Sequence, residues 1–271
     1  MGWMNTKSSS TLRYLESHEV FTLEEYFATV DPAVSERTRY GNLQNAIERD
    51  QAYRIRRGLY ASNLGVYRDR VPNVFFVAAK TADDAVISHH SALEAHGVAH
   101  TPFRTVYFSS AQKIADFEVR GYRFHRVAPP KSGFELQPGE SVTRVRAGEA
   151  IVRASDKERT LVECVGDLRL AGGIEELLRS LGGFSSISGS RVAEYARRLC
   201  SPTVVARAGW VMEMFAEQWR VDVSVFDEMR VALGRGTYRL LPASDARAVE
   251  FVARWRLYVP AGLPYSEWSR G

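Results

Sequence analysis

Cysteine is scarce in this chain, which has only two, Cys164 and Cys200, among 271 residues. Both lie in stretches with helical patterning and apolar neighbours, which predicts reduced core thiols rather than a disulfide. No spacing of histidine and cysteine is typical of a structural zinc site. We therefore expect a protein of the reducing cytoplasm, with no bound metal or other cofactor.

Long apolar runs are absent as well. No segment approaches the length needed to cross a bilayer, and the N-terminal stretch MGWMNTKSSS lacks the apolar centre of a signal peptide. Apolar residues still make up 45% of the chain and charged residues 25%, which is typical of a globular protein with a sizeable core. We expect a cytoplasmic protein that has no membrane partner.

The usual phosphate-binding and catalytic motifs are missing too. The chain contains neither a P-loop nor a GxGxxG segment. Gly189-Ser190 is not followed by the Asp-x-Asp pair that metal-dependent nucleotidyl transfer requires. We therefore expect no enzymatic activity.

Positive charge is unevenly distributed, although the net charge is only +4. The first predicted helices are acidic. Between residues 37 and 70 the acidic residues are Glu48, Asp50 and Asp69, whereas the basic ones are Arg37, Arg39, Arg49, Arg54, Arg56, Arg57, Arg68 and Arg70. A surface that binds phosphates from one side requires a polarised segment of this kind.

The segment from Glu36 to Tyr60 begins with helical periodicity. Tyr40, Leu43 and Ile47 recur at i, i+3 and i+7, which predicts one apolar face. The remaining faces carry side chains that reach phosphates or base edges, and we expect these to enter the DNA major groove: Arg37, Thr38, Arg39, Asn42 and Asn45.

A basic β-hairpin follows this helix. Tyr53 and Ile55 alternate with arginines, and the next two residues, Arg57 and Gly58, are typical of a turn. The guanidinium groups predicted to point outward, toward the DNA backbone or minor groove, are those of Arg54, Arg56 and Arg57. The alternative interpretation is a solvated amphipathic helix beside an ordinary basic hairpin.

Two capped helices precede the segment. Thr22 and Glu25 have the spacing of a capping box, and Ser35 is placed to cap the next helix. The resulting order is helix, capped helix, turn, helix and β-hairpin. This order predicts a winged helix-turn-helix DNA-binding domain over residues 1–70.

Residues 71–271 are predicted to form a larger α+β domain. Strands are expected at residues 85–87, 105–108, 117–119, 122–127, 150–154 and 250–260. Ser155 through Glu158 resembles a second capping box, and Pro202 begins the longest predicted helix. The fold class predicted for the whole chain is therefore α+β.

Candidate chemistry in this larger domain is sparse. Ser88, His89 and His90 lie at a helix start, where adjacent histidines point about 100° apart and cannot chelate one ion. We interpret them, together with Arg159, as structural residues or as contacts to a partner protein. Glu118 fits only loosely into a metal-dependent nuclease pattern.

Four segments resemble the AbiEi family of bacterial antitoxins and transcriptional regulators, which belong to type IV toxin–antitoxin systems. They occur in order and span most of the chain: RIRRGLY at 54–60, ISHHSALEAHG at 87–97, ASDKERTL at 154–161 and RWRLYVP at 254–260. Each is weak alone, and together they are fairly specific.

The resemblance implies a winged helix that binds inverted repeats in its own promoter. It also implies a C-terminal domain that counters a nucleotidyltransferase-like toxin in phage defence, without a stable toxin complex. Inverted repeats imply two copies on DNA, either monomers that pair there or a preformed dimer. Two alternatives remain: a winged-helix regulator that senses a small ligand, and a nuclease that uses Glu118.

Overall fold

The computed structural model describes residues 7–130, 140–199, 201–242, 244 and 248–269. Within these residues, helices and three β-sheets confirm the predicted α+β class. None of the described helices combines the length and the apolar composition needed to cross a membrane. Cys164 is a buried free thiol, and burial raises its pKa, whereas Cys200 lies outside the described residues.

The N-terminal unit, residues 7–62, contains three helices and a three-stranded antiparallel sheet. Its elements are α1 (Lys7–Ser17), β1 (Val20–Thr22), α2 (Leu23–Thr29), α3 (Glu36–Glu48), β2 (Ala52–Arg56) and β3 (Leu59–Ser62), with strand order β1-β3-β2. The predicted capping box is confirmed, because the Glu25 amide donates to the Thr22 hydroxyl at 3.1 Å and the Thr22 amide donates to the Glu25 carboxylate at 2.8 Å. Ser35 caps α3 as expected, accepting from the Thr38 amide at 3.3 Å.

A six-stranded mixed sheet forms the middle of the chain. Its order is β6-β7-β5-β4-β9-β8, with β4 parallel to β9 and β5 parallel to β7. The elements are α4 (Val74–Ala79), β4 (Val86–Ile87), α5 (His89–Ala95), β5 (Thr105–Ser109), β6 (Phe117–Val119), β7 (Tyr122–Val127), β8 (Val142–Ala147) and β9 (Ala150–Ser155). All were predicted from the sequence except α4 and β8.

The remaining chain is mainly helical and contains a small three-stranded sheet. Its helices are α6 (Lys157–Gly166), α7 (Ile174–Gly182), α8 (Gly189–Arg198), α9 (Pro202–Met214), α10 (Ala216–Trp219), α11 (Val223–Val231) and α12 (Tyr265–Trp268). Its strands are β10 (Tyr238–Arg239), β11 (Val249–Val252) and β12 (Leu257–Pro260), in the order β10-β12-β11. The single strand predicted at residues 250–260 is wrong, because a 3-10 turn at Ala253–Trp255 divides it.

The cap of α6 differs from the prediction by one residue. Asp156, not Ser155, is the N-cap, and its carboxylate accepts from the Arg159 amide at 2.8 Å. Glu158 does not reach back to the cap, since its carboxylate accepts instead from the amide of Ser188 at 2.9 Å. Glu158 therefore connects α6 to the segment before α8.

The three-stranded sheet is buried on both faces. Because side chains alternate along a strand, Phe21 and Tyr60 pack among the helices of the N-terminal unit. Val20, Leu59 and Ala61 point the other way and share one apolar core with the six-stranded sheet. The N-terminal unit is therefore packed against the rest of the protein.

Candidate nucleic-acid interface

The buried face of helix α3 differs from the predicted one. Its buried residues are Arg39, Leu43 and Ala46, whereas Tyr40 is 40% exposed. At 100° per residue, the apolar face is thus rotated toward Arg39 from the expected Tyr40–Leu43–Ile47 line. Arg37 lies opposite the buried face and points outward.

The remaining predicted residues of α3 flank this outward face. Thr38 and Asn45 are exposed and Asn42 is half-buried. Asn42 and Asn45 line a polar groove together with Thr11 and Leu12 of α1. Gln44, which the sequence reasoning missed, is about 20° from Arg37 around the helix and belongs to the same outward surface.

Arg39 is not available to contact DNA, so the prediction that it enters the major groove is wrong. Its side chain is buried, and its guanidinium donates to the carbonyl oxygens of Phe27 and Val30. The same group lies 5.2 Å from the centre of the Phe27 ring. Arg39 therefore fastens α3 to α2.

The basic hairpin places two of its three predicted arginines at the surface. Arg54 and Arg57 are exposed, and Arg57 precedes Gly58, whose φ of +80° suits glycine in a tight turn. In the ladder Arg54 is opposite Tyr60, on the sheet face that packs on the helices. The turn itself is near the start of α3, because Gly58 and Glu36 line the same pocket.

The prediction that Arg56 points outward is wrong. A register irregularity between Arg54 and Arg56 interrupts the alternation of the strand. The Arg56 side chain is half-buried, with its guanidinium 5.4 Å from the centre of the Phe117 ring in β6. It therefore faces the six-stranded sheet rather than solvent.

Tyr40 connects the helix to the hairpin. Burial, and then the neighbouring hydroxyl of Tyr40, raises the pKa of Tyr60, while the charge of Arg54 opposes this shift. The hydroxyl of Tyr40 is thus close to that of Tyr60, and Arg54 is also near Tyr60. Arg37 precedes Tyr40 by about one turn of α3.

Ser88, His89, His90 and Arg159 are buried, so none of them forms an exposed contact for a partner. The His90 imidazole lies 3.0 Å from carboxylate oxygens of both Glu94 and Glu176 and stacks on Phe103. These contacts hold the His90 imidazole in the interior, between α5 and α7.

His89 adjoins the Arg159–Glu163 ion pair. Burial lowers the pKa of the His89 imidazole, while the Glu163 carboxylate opposes this effect. Its φ of +51° is a left-handed conformation, uncommon for a residue other than glycine. Ser88 holds the cap position of α5, but its hydroxyl contacts the His89 ring at 3.1 Å and does not bond the first turn of the helix.

Glu118 lies on the exposed side of β6, opposite Arg123 in the ladder. No three His, Cys, Asp or Glu side chains within the described ranges are grouped so that they could hold a metal ion.

The described chain is an α+β protein in which a unit of three helices and three strands packs on a six-stranded sheet. A mainly helical part follows the sheet in the chain. No family model and no curated protein matches the sequence. Among solved structures, the RV2827C protein from Mycobacterium tuberculosis has the same fold, with a TM-score of 0.66 over 95% of this chain and 92% of that chain. The two sequences are 12% identical, so the likeness shows the fold alone.

Proposed function

We propose that this protein is a DNA-binding transcriptional regulator and that its N-terminal unit is a winged helix-turn-helix. One observation carries the proposal: Arg37 is on the outward face of α3 about one turn before Tyr40, and Tyr40 lies beside Tyr60 of the hairpin that carries Arg54 and Arg57. The three arginines are exposed, and none forms an ion pair with a carboxylate of the described residues.

The roles follow from how helices and hairpins meet a duplex. In helix-turn-helix proteins the N-terminal part of the second helix contacts base edges in the major groove. Arg37 and Thr38 are in the first turn of α3, and Asn42, Gln44 and Asn45 follow along it. The hairpin acts as the wing, where the guanidinium groups of Arg54 and Arg57 contact phosphates or the minor groove.

The resemblance to AbiEi antitoxins extends the proposal to a biological setting. The regulator is a cytoplasmic bacterial antitoxin that binds inverted repeats in its own promoter and counters a nucleotidyltransferase-like toxin. Because Ser88, His89, His90 and Arg159 are buried, they are withdrawn as toxin contacts. They support the fold of the larger unit instead, which consists of the six-stranded sheet and the mainly helical part that follows it.

DNA binding is tested by fluorescence anisotropy with the full-length protein and the duplex upstream of its reading frame. Arg37→Ala and the double variant Arg54→Ala/Arg57→Ala should each weaken binding at least tenfold. The double variant should also reduce the slope of log K against log salt by about 1 to 2, since each phosphate contact contributes about 0.9.

The matched control is Arg230→Ala, which removes an exposed arginine from α11. It should bind as the wild type does. Binding of the wild type to a scrambled duplex as tightly as to the upstream duplex would contradict the regulator proposal.

The antitoxin role has a separate test. The protein is expressed from an inducible promoter together with the nucleotidyltransferase-like protein of the adjacent reading frame, and growth is recorded. Rescue should persist in Arg37→Ala, because toxin neutralisation is assigned to the larger unit. Growth arrest in the presence of the wild-type protein would count against the antitoxin role while leaving DNA binding intact.

A further inference from the structure

The strand β8 is an open edge of the six-stranded sheet. It pairs with β9 on one side, and no other strand of the described residues lies along its second side. Ala147 and Ala150 flank a two-residue turn and form the hydrogen-bonded pair that closes it. Because such pairs alternate along an antiparallel ladder, the backbone groups of Arg144 and Arg146 point away from β9. The edge thus presents N–H and C=O groups that the described strands do not pair.

One face of the β8–β9 hairpin carries positive charge. Residues directly opposite each other share a face, so Arg144 lies beside Arg153 of β9, and Arg146 lies beside Ile151. All four side chains are exposed, Ile151 by 60%. The other face of the hairpin carries Val152 and packs into the core of the sheet.

The charge of these arginines is not balanced locally. Arg144 and Arg153 are like charges directly opposite each other, an arrangement that destabilises a pair of strands. Within the part of the chain that the structure describes, no ion pair joins Arg144, Arg146 or Arg153 to a carboxylate. Glu149, in the turn of the hairpin, is exposed and belongs to none of these ion pairs either. The hairpin therefore offers guanidinium groups to carboxylates from outside the described chain.

Charge also decides which strand fits this edge. Two copies of the protein joined through the middle of β8 would place arginine opposite arginine, which is unfavourable. A strand with carboxylates opposite Arg144 and Arg146 would instead form charge-assisted pairs. Its intermediate residue would lie on the other face, beside the half-buried Val145. The complementary segment is therefore extended and has the order acidic, apolar, acidic.

We propose that β8 is a docking edge for a partner protein that adds a strand of alternating acidic and apolar residues. The added strand hydrogen-bonds to the backbone of β8, and its carboxylates pair with Arg144 and Arg146. In this mode of recognition the main-chain hydrogen bonds supply affinity and the side chains supply specificity. The docking edge goes beyond the proposed DNA binding and does not depend on it.

The test uses the full-length protein and a fluorescein-labelled peptide in which Glu alternates with Val, measured by fluorescence anisotropy. The wild type should bind this peptide saturably. Arg144→Glu/Arg146→Glu should bind it about tenfold more weakly or worse, and should gain binding to the peptide that has Lys in place of Glu. A wild type that does not bind the Glu/Val peptide, or a folded variant without this reversal, would overturn the proposal.

A modified peptide separates strand addition from charge attraction alone. Methylation of the backbone nitrogens of its Glu residues keeps every carboxylate and removes the donors that face β8. The wild type should bind this peptide about tenfold more weakly or worse. Equal binding of the two peptides would overturn strand addition.

Arg68 and Arg70 provide the control for net charge. Both are exposed, have the same spacing as Arg144 and Arg146, and lie outside the strands. Arg68→Glu/Arg70→Glu should bind the Glu/Val peptide as the wild type does, and an equal loss in both double variants would overturn the proposal. A nucleic-acid role for the β8 arginines would also overturn it, and would appear as Arg144→Glu/Arg146→Glu losing the upstream duplex while retaining the peptide.

Discussion

Nε of Arg159 lies 2.6 Å from Oε1 of Glu163, one helical turn further along α6, and the two side chains are only 4% and 8% exposed. Burial alone would raise the pKa of Glu163, but the charge of Arg159, together with hydrogen bonds from Arg159 and Ser155, outweighs it and holds this pKa below its usual value. The pair therefore remains ionised in the interior of the larger unit.

Breaking this pair from either side should destabilise the protein strongly. Arg159→Met or Glu163→Gln each leaves a buried charge without its partner, which costs about 3–5 kcal/mol of unfolding free energy. The measurement is urea unfolding followed by tryptophan fluorescence. The double variant Arg159→Met/Glu163→Gln should lose less than the sum of the single losses, and strictly additive losses would contradict the coupling.

His89 should make the stability pH-dependent on the acidic side of neutrality. Because burial lowers its pKa in the folded protein, the unfolded chain binds the proton more tightly. The contribution of the neutral imidazole is complete above the unfolded pKa of about 6.5 and declines as the pH falls toward the folded pKa, by up to about 1.4 kcal/mol per pH unit.

The variant His89→Asn isolates this contribution, since asparagine tolerates the left-handed backbone at this position. Between about pH 7.5 and about pH 5.5, the His89→Asn protein should lose less unfolding free energy than the wild type loses. His100→Asn, on an exposed side chain, is the control and should retain the wild-type difference. An equal pH effect in all three proteins would refute the assignment to His89.

Arg37 and Arg39 should respond in opposite ways to the same substitution. Arg39→Ala removes the donor bonded to the Phe27 and Val30 carbonyls, so the unfolding free energy should fall by about 1–3 kcal/mol. Arg37→Ala, on the exposed surface, should change it by less than about 0.5 kcal/mol. Thermal and urea unfolding of the two variants test this prediction. An Arg39→Ala protein as stable as the wild type would show that the buried hydrogen bonds of Arg39 contribute little.

Two glycines in helix interiors provide another contrast. A Cβ on Gly209 in α9 would lie 2.1 Å from a ring atom of Trp255, so Gly209→Ala must displace a fully buried side chain and should cost about 3 kcal/mol. Gly41 in α3 has nothing within 4 Å of that position. Gly41→Ala should therefore stabilise the protein by up to about 1 kcal/mol.

Calorimetry of the two alanine variants checks the prediction. The Tm should decrease for Gly209→Ala and increase for Gly41→Ala. Only stability is compared, because Gly41 lies in α3, the helix proposed to contact DNA. A wild-type Tm for Gly209→Ala would mean that the Trp255 ring relocates without loss of packing.

Local patterns predicted much of the fold because they depend on near neighbours in the sequence. The Thr22–Glu25 capping box, the Ser35 cap and most strands of the central sheet are of this kind. β8 was not predicted, because Arg144 and Arg146 on its exposed face leave few apolar residues to indicate a strand.

The misassigned site residues depend on distant contacts. A charged side chain is expected at the surface, and the sequence does not show that the Phe27 and Val30 carbonyls would bind Arg39. Likewise, the register irregularity after Arg54 turns Arg56 to the other side, which strict alternation cannot predict. Burial of His89 and His90 also arises only when α5 packs between the sheet and α6.

The apolar core that Val20, Leu59 and Ala61 share with the six-stranded sheet bears on proteolysis. Residues 68–71, which link the N-terminal unit to α4, are exposed. A protease that cuts there would sever the chain without separating its halves, because the packed surfaces between them would remain buried. The two fragments should then migrate together in gel filtration and come apart only in denaturant. In this respect the junction behaves like the interface of a heterodimer whose two subunits happen to be joined by a peptide bond.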